Sequence, residues 1–275
     1  VRVQTARRAM LGAAIAASLL LLLGATTSWL GNRALTNRLA DASRNVASLP
    51  IVASEPGTIA FPSVEALRRL EVLRAQLDTV RGYVKDGPPL RLRFGLWQGR
   101  ALVDAARPVW SEGFRRQLFA TSWGAIVDSL KALPAVQTAT NDYGVTYGWL
   151  KGYLITTSAP ERSTADFLAP VLLNSWQRGQ ETDADITGLA RRQFEFYASE
   201  LPTYNPFPAP ANNAIVTQGR EFLARFTGGE QIYRNMLDTA NKAVPAVKIP
   251  QAPGILTATP QVAGAFSIKG AAFMN

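Results

Sequence analysis

The stretch TDADITG (182–188) places Asp183, Asp185, Thr187 and Gly188 at positions one, three, five and six of a calcium-loop pattern. Position twelve of that pattern needs a bidentate Glu, and here it is Phe194. The acids read instead as the first turn of a helix, where the macrodipole favours them. Glu195 and Glu200 are the right type for acid/base work. Five steps of ~100° put them about 500° apart, on different faces of a helix. Asp104, Glu112 and Asp128 read as surface charges. A Ser–Lys dyad is open on residue types, since the chain has six lysines, but no motif supports one. There is no histidine and no cysteine. That removes imidazole bases, Ser-His-Asp triads, HExxH zinc sites and thiolate chemistry. No GxxxxGK[ST] loop and no GxSxG elbow occurs. The expectation is a protein that is not an enzyme, with no catalytic residues, cofactor or bound metal.

If the chain does no chemistry, its elements must carry another role. Residues 9–31, AMLGAAIAASLLLLLGATTSWLG, contain no charged side chain. At ~1.5 Å per residue this run reaches about 34 Å, enough for a hydrocarbon core of ~30 Å. Signal-peptide cores are shorter, at ~7–15 residues. Small residues near Gly24–Ser28 leave cleavage open, but a retained span is the favoured reading, ahead of a cleaved signal and a buried core helix. Arg2, Arg7 and Arg8 precede the run, and Arg33, Arg38 and Arg44 follow it, so the positive-inside rule gives no direction. The chain starts with Val rather than Met, as expected of a fragment with more protein before the span.

The net charge is +9. Residues 31–133 carry 15 Lys and Arg against 9 Asp and Glu, whereas residues 134–275 balance at 11 each. The excess therefore lies in the half next to the apolar run. It reads as solvated helix faces, or as contact with anionic lipid headgroups or an acidic partner. Nucleic acid is not an expected partner, because no basic stretch interleaved with aromatics appears.

After the apolar run, Gly31 to about Ser54 has the composition to stay helical. Pro50, Pro56 and Pro62 mark a loop. Ser63 should cap a helix with Leu67, Leu70, Leu73, Leu77, Val80 and Val84 on its apolar stripe. LRLRFGLWQG (90–99) alternates and taken alone reads as a short strand, weakened by Gly95 and Gly99. A helical pattern follows from about Arg100 to Leu133, with a kink expected at Pro108. Asn141 or Asp142 should open the next helix. Three more follow over 165–179, 185–201 and 213–226, and a fourth over 230–243. From Pro245 the chain reads as an extended Pro-rich linker. The fold class is all-α: one transmembrane helix, then an α-helical domain with antiparallel neighbours joined by short loops. The boundaries are a basic flank at 1–8, the span at 9–31, a membrane-proximal helix and loop at 32–62, a helical domain at 63–244, and a linker with the start of a further domain at 245–275. Trp97, Trp110, Trp123, Tyr147, Trp149, Tyr153 and Trp176 read first as core and second as partner contacts.

Several segments resemble the IcmF/TssM family, the inner-membrane core component of type VI secretion. LRFGLWQG (92–99) is similar to its Gly-Leu-Tyr-Gln-Gly motif, and YGWLKGYLI (147–155) to its Tyr-x-x-Leu-Lys-x-Tyr-Leu-Met motif. FLAPVLLNSWQ (167–177) and RRQFEFYASELP (191–202) follow in the family's order. Residues 216–237 resemble its Val-x-x-Ala-Arg…Tyr segment, and 262–274 the start of its last periplasmic region. Trp97 replaces the usual Tyr, Ala263 a Pro and Ser267 a Thr. The matching positions are Gly95, Leu96, Trp97, Gln98, Gly99, Tyr147, Leu150, Lys151, Tyr153, Leu154, Trp176, Phe194, Phe196, Tyr197, Arg220 and Tyr233, expected in packing or interfaces.

The resemblance implies an inner-membrane protein with a cytoplasmic N-terminus and a periplasmic bulk. It implies a structural scaffold that oligomerises with itself and with a second inner-membrane subunit (TssL/DotU-like). An outer-membrane lipoprotein (TssJ-like) would bind through a β domain beginning where this chain stops. The lipid bilayer is the remaining partner. Alternatives are an accessory stabiliser of a type IVB complex, and a membrane-tethered periplasmic hydrolase or binding module.

Overall fold

Helix α1 (Arg2–Ala47) carries the apolar run and continues past it without a break. A computed structural model describes residues 2–51, 61–94, 97–135 and 142–226. Among these, all regular elements are helical. The apolar half of α1 is largely bare: Leu19 to Leu23 are each more than 60% exposed, while Gly24 and Ser28 are covered. Its length and composition are those of a membrane span. Thr27 donates its hydroxyl to the Leu23 and Gly24 carbonyls at 2.9 Å, so it leaves no unsatisfied polar group there. Beyond Gly31 the same helix turns amphipathic. Leu39, Ala42 and Val46 are buried, at three- and four-residue spacing.

Helix α2 (Val64–Asp86) begins where Ser63 accepts the Ala66 N–H at 3.1 Å. Leu67, Leu70, Leu73, Leu77 and Val80 are fully buried, as the spacing predicts. The expected strand at 90–99 is absent from its described residues, 90–94 and 97–99. Leu90–Arg93 is instead a single helical turn, α3, closed by the Leu92 N–H on the Pro89 carbonyl at 2.9 Å. Leu92 is buried, and its backbone carbonyl accepts from Asn32 Nδ2 of α1 at 3.2 Å. Period two over five residues is too short a signal to outweigh that anchoring.

Helix α4 (Gly99–Phe114) continues through Pro108. The departure from α geometry comes later, in a π-helical segment, Arg115–Phe119, before α5 (Ala120–Lys131). This segment turns Gln117 inward, where Nε2 donates to the Pro50 carbonyl at 2.7 Å. Helix α6 (Tyr143–Thr157) is capped by Asp142, and α8 (Ala184–Glu200) by Asp183, which accepts the Asp185 N–H at 2.8 Å. The acids of TDADITG are thus a helix start. Helix α7 (Ala165–Gln177) precedes α8, and α9 (Asn213–Ala224) is capped by Asn212. The helix read over 230–243, Tyr233 and the Pro-rich linker lie outside the described residues.

The chain divides into two compact units, and the cut falls within α5. The first comprises Val1–Ala125 and Pro160–Pro208. Its core is aromatic. Trp110 stacks on Phe114 at 5.1 Å and meets Phe196 edge-on at 4.8 Å. Phe114 meets Phe194 edge-on at 5.6 Å, and Phe119 stacks on Phe207 at 4.7 Å. The second unit comprises Ile126–Ala159 and Ala209–Asn275. Here α6 packs on α9. The Asn212 N–H donates to the Tyr153 hydroxyl at 2.8 Å, and Gln218 Nε2 to the Lys131 carbonyl at 3.2 Å.

Candidate functional site

Within the first unit, two carboxylates organise the polar contacts between α2, α4 and α8. Glu71 is held by Arg74 from its own helix, at 2.8 Å and 2.9 Å. Arg192 Nε reaches it from α8 at 3.0 Å. Gln193 Nε2 donates to Glu71 at 2.7 Å, and Gln193 Oε1 accepts from Trp110 Nε1 at 2.9 Å. The relay therefore runs from an indole in the core to a half-buried carboxylate. The hydrogen bond from Arg74 to Glu71 is the main cause holding the Arg74 guanidinium above its ordinary pKa.

Glu200, at the end of α8, is 2% exposed. Arg81 Nη1 lies 2.7 Å from Oε1, and Arg107 Nε lies 3.1 Å from Oε2. The Arg107 contact is an ion pair whose geometry falls short of a hydrogen bond. Arg81 also covers the Phe196 ring at 5.3 Å and Arg107 the Tyr204 ring at 4.6 Å. Each cation is thus held between a carboxylate and an aromatic face. Two guanidiniums from α2 and α4 converge on one carboxylate of α8, which ties the three helices together as a clamp. Glu195, by contrast, is exposed, so the two acids sit on different faces as their spacing requires. Among the described residues no group of three or more acidic side chains is placed to hold a metal ion.

Within the second unit, a groove of about 450 Å³ runs between α6 and α9. Tyr143, Tyr147, Leu150, Lys151 and Leu154 line it from α6, and Arg220, Leu223 and Ala224 from α9. Tyr143 stacks on Tyr147 at 6.0 Å, and Lys151 Nζ lies 5.7 Å from the centre of the Tyr147 ring. The floor is apolar, and the rim carries two cations and two phenols. That composition is typical of a protein-binding surface.

A family model described as "IcmF-related: Intracellular multiplication and human macrophage-killing" matches residues 66–274. The chain belongs to the IcmF-related family. No curated protein and no solved structure matches it. Membership associates this IcmF-related chain with type VI or type IVB secretion, in a family of secretion components that is not typically enzymatic. Both the carboxylate network and the α6–α9 groove fall inside the matched region; α1 lies before it.

The sequence-predicted positions of this IcmF-related chain separate into three groups. Tyr147, Leu150, Lys151, Leu154 and Arg220 come together at the groove, with Tyr153 buried behind them. Trp176, Phe194, Phe196 and Tyr197 are buried in the first unit, and Trp176 meets Phe61 edge-on at 4.9 Å. The Tyr197 hydroxyl has no partner among the described residues, and burial raises its pKa. Trp97 is half-buried against Tyr83 at 6.0 Å. Gln98 precedes α4 without a side-chain cap, and Gly99 is buried beside the Trp97 ring. Gly95, Leu96 and Tyr233 lie outside the described residues. The reading of single segments missed Glu71, Arg81, Arg107 and Gln193. One signal was present: Gln193, Phe196 and Glu200 recur at three and four residues, so an acid occupies the buried stripe of α8.

Proposed function

We propose that this chain is a structural scaffold of a type VI secretion membrane complex. A helical periplasmic column is anchored in the inner membrane by α1, with its N-terminus in the cytoplasm. It assembles with copies of itself and with a TssL/DotU-like inner-membrane subunit. A TssJ-like outer-membrane lipoprotein is held by a domain following this segment. The observation that supports this best is the continuity of α1. One helix carries both the largely bare apolar run and the buried Leu39, Ala42 and Val46. A force on the helical unit would therefore reach the membrane without passing through a hinge. The groove lined by the family-motif residues Tyr147, Lys151 and Arg220 is the surface best suited to a partner subunit.

The test is membrane extraction combined with a topology reporter. Membranes containing the chain are washed with carbonate, and a periplasm-active reporter is fused at Asn275. Retention with an active reporter is the expected result. Release into the soluble periplasm would make residues 9–31 a signal sequence. Retention with a silent reporter would reverse the topology.

A further inference from the structure

Between α1, α2 and α3 of the first unit lies a cleft of about 320 Å³, within the ~300–1,000 Å³ typical of small-ligand sites. Its charged lining residues are Arg38 and Arg91, with Gln76, Thr79 and Tyr83 on the α2 wall. No acid lines it. Asp41, one turn further along α1, pairs with Arg44, and Asp78 faces Arg74 and Arg81. Neither arginine of the cleft has an ion-pair partner among the described residues, and both are exposed. Gln76 buries its Oε1 with no hydrogen-bond partner among them. The cleft therefore presents two uncompensated cations against a wall that carries no carboxylate.

Its position along α1 says what should fill it. The apolar run ends at Gly31, and at ~1.5 Å per residue Arg38 lies about 10 Å beyond that point. A headgroup layer is roughly 5–8 Å deep on each side of the hydrocarbon. The cleft thus spans the depth at which phosphates sit. On the other side of Gly31, Phe94 packs on Gly24, about 10 Å into the apolar run. A Cβ on Gly24 would lie 2.6 Å from that ring, and one on Gly31 would lie 2.8 Å from Leu92. Only a glycine lets these side chains approach so closely. Leu90, 74% exposed, and Phe94, 47% exposed, present apolar surface beside the span. Soluble surfaces do not need such an arrangement, but a lipid-facing wedge does.

We propose that this cleft binds the headgroup of one anionic phospholipid of the phosphatidylglycerol kind. Arg38 and Arg91 hold the phosphate, with the Thr79 and Tyr83 side chains on the wall beside the glycerol. The acyl chains run beside Leu90 and Phe94 along the apolar half of α1. The proposal rests on α1 being a retained span.

The full chain is incorporated into vesicles of phosphatidylcholine and phosphatidylglycerol, extracted in mild detergent and examined by native mass spectrometry. One phosphatidylglycerol should be retained in preference to phosphatidylcholine. Each arginine near an anionic headgroup contributes a factor of about five, so R38Q with R91Q should lower retention about twenty-five-fold. R68Q with R69Q, the same charge loss away from the cleft, should leave it unchanged. Equal retention of the two lipids, or equal loss in both double variants, would overturn the site while leaving the span intact. Complete displacement by millimolar glycerol phosphate would assign the cleft to a soluble anion and also overturn it. A chain that fails to enter the vesicles would instead remove the span, and the site with it.

Discussion

The two units use similar aromatic residues to opposite ends. In the first, Phe194, Phe196 and Tyr197 are buried among Trp110, Phe114 and Phe119. In the second, Tyr147 is 43% exposed and shares a groove with Lys151 and Arg220. Both sets come from segments that resemble one family's motifs. A motif position is therefore not one kind of residue. Some fix the core, and others are displayed by that core.

Substitutions should separate the two roles, and the largest effect belongs to the first unit. Trp110→Ala removes a fully buried ring and the Gln193 bond, so chemical unfolding should show a loss of about 3–5 kcal/mol. Glu200→Ala leaves Arg81 and Arg107 facing each other without a carboxylate. Both are partly exposed, so the cost should be about 2 kcal/mol, and a double-mutant cycle with Arg107→Ala should give non-additive losses. An additive cycle would make Glu200 an ordinary buried polar group and not a clamp.

A smaller effect is expected at Glu112. The hydrogen bond from Arg115, followed by that from Arg116, lowers its pKa from 4.5 to about 2. A carboxylate depressed in the folded state stabilises above its ordinary pKa and loses that contribution as pH falls. Thermal melts of the chain and of Glu112→Gln should therefore converge between about pH 4.5 and pH 2. The pair is partly exposed, so salt should weaken the difference. The smallest effect on folding belongs to the groove. Tyr147→Ala should lower stability by about 1 kcal/mol or less, the loss of its stack on Tyr143. Co-purification of partner subunits should fall for this variant. A large fall in stability would place Tyr147 with the core and erase the contrast between the units.

Much of the helical framework was legible in the sequence. Ser63, Asp142 and Asp183 cap the helices their types announce, because a side-chain acceptor beside an apolar stripe is a local signal. The stripe Leu67–Val80 was readable for the same reason. Segment 90–99 was not. Its alternation suggested a strand, and the winning interactions came from α1, some sixty residues away in sequence. Pro108 drew attention as the irregular point of the long helix, yet the π-helical turn falls at Arg115–Phe119. There Gln117 reaches Pro50, a partner that no local pattern reveals.

The sequence by itself determined the apolar run, the all-helical class and the exclusion of histidine and cysteine chemistry. These depend on composition and on periods within one segment. Only the tertiary structure decided that Glu200 sits between two arginines, that five motif positions share one groove, and that Arg38 and Arg91 line one cleft. Those facts depend on distances between residues remote in sequence, and packing fixes such distances.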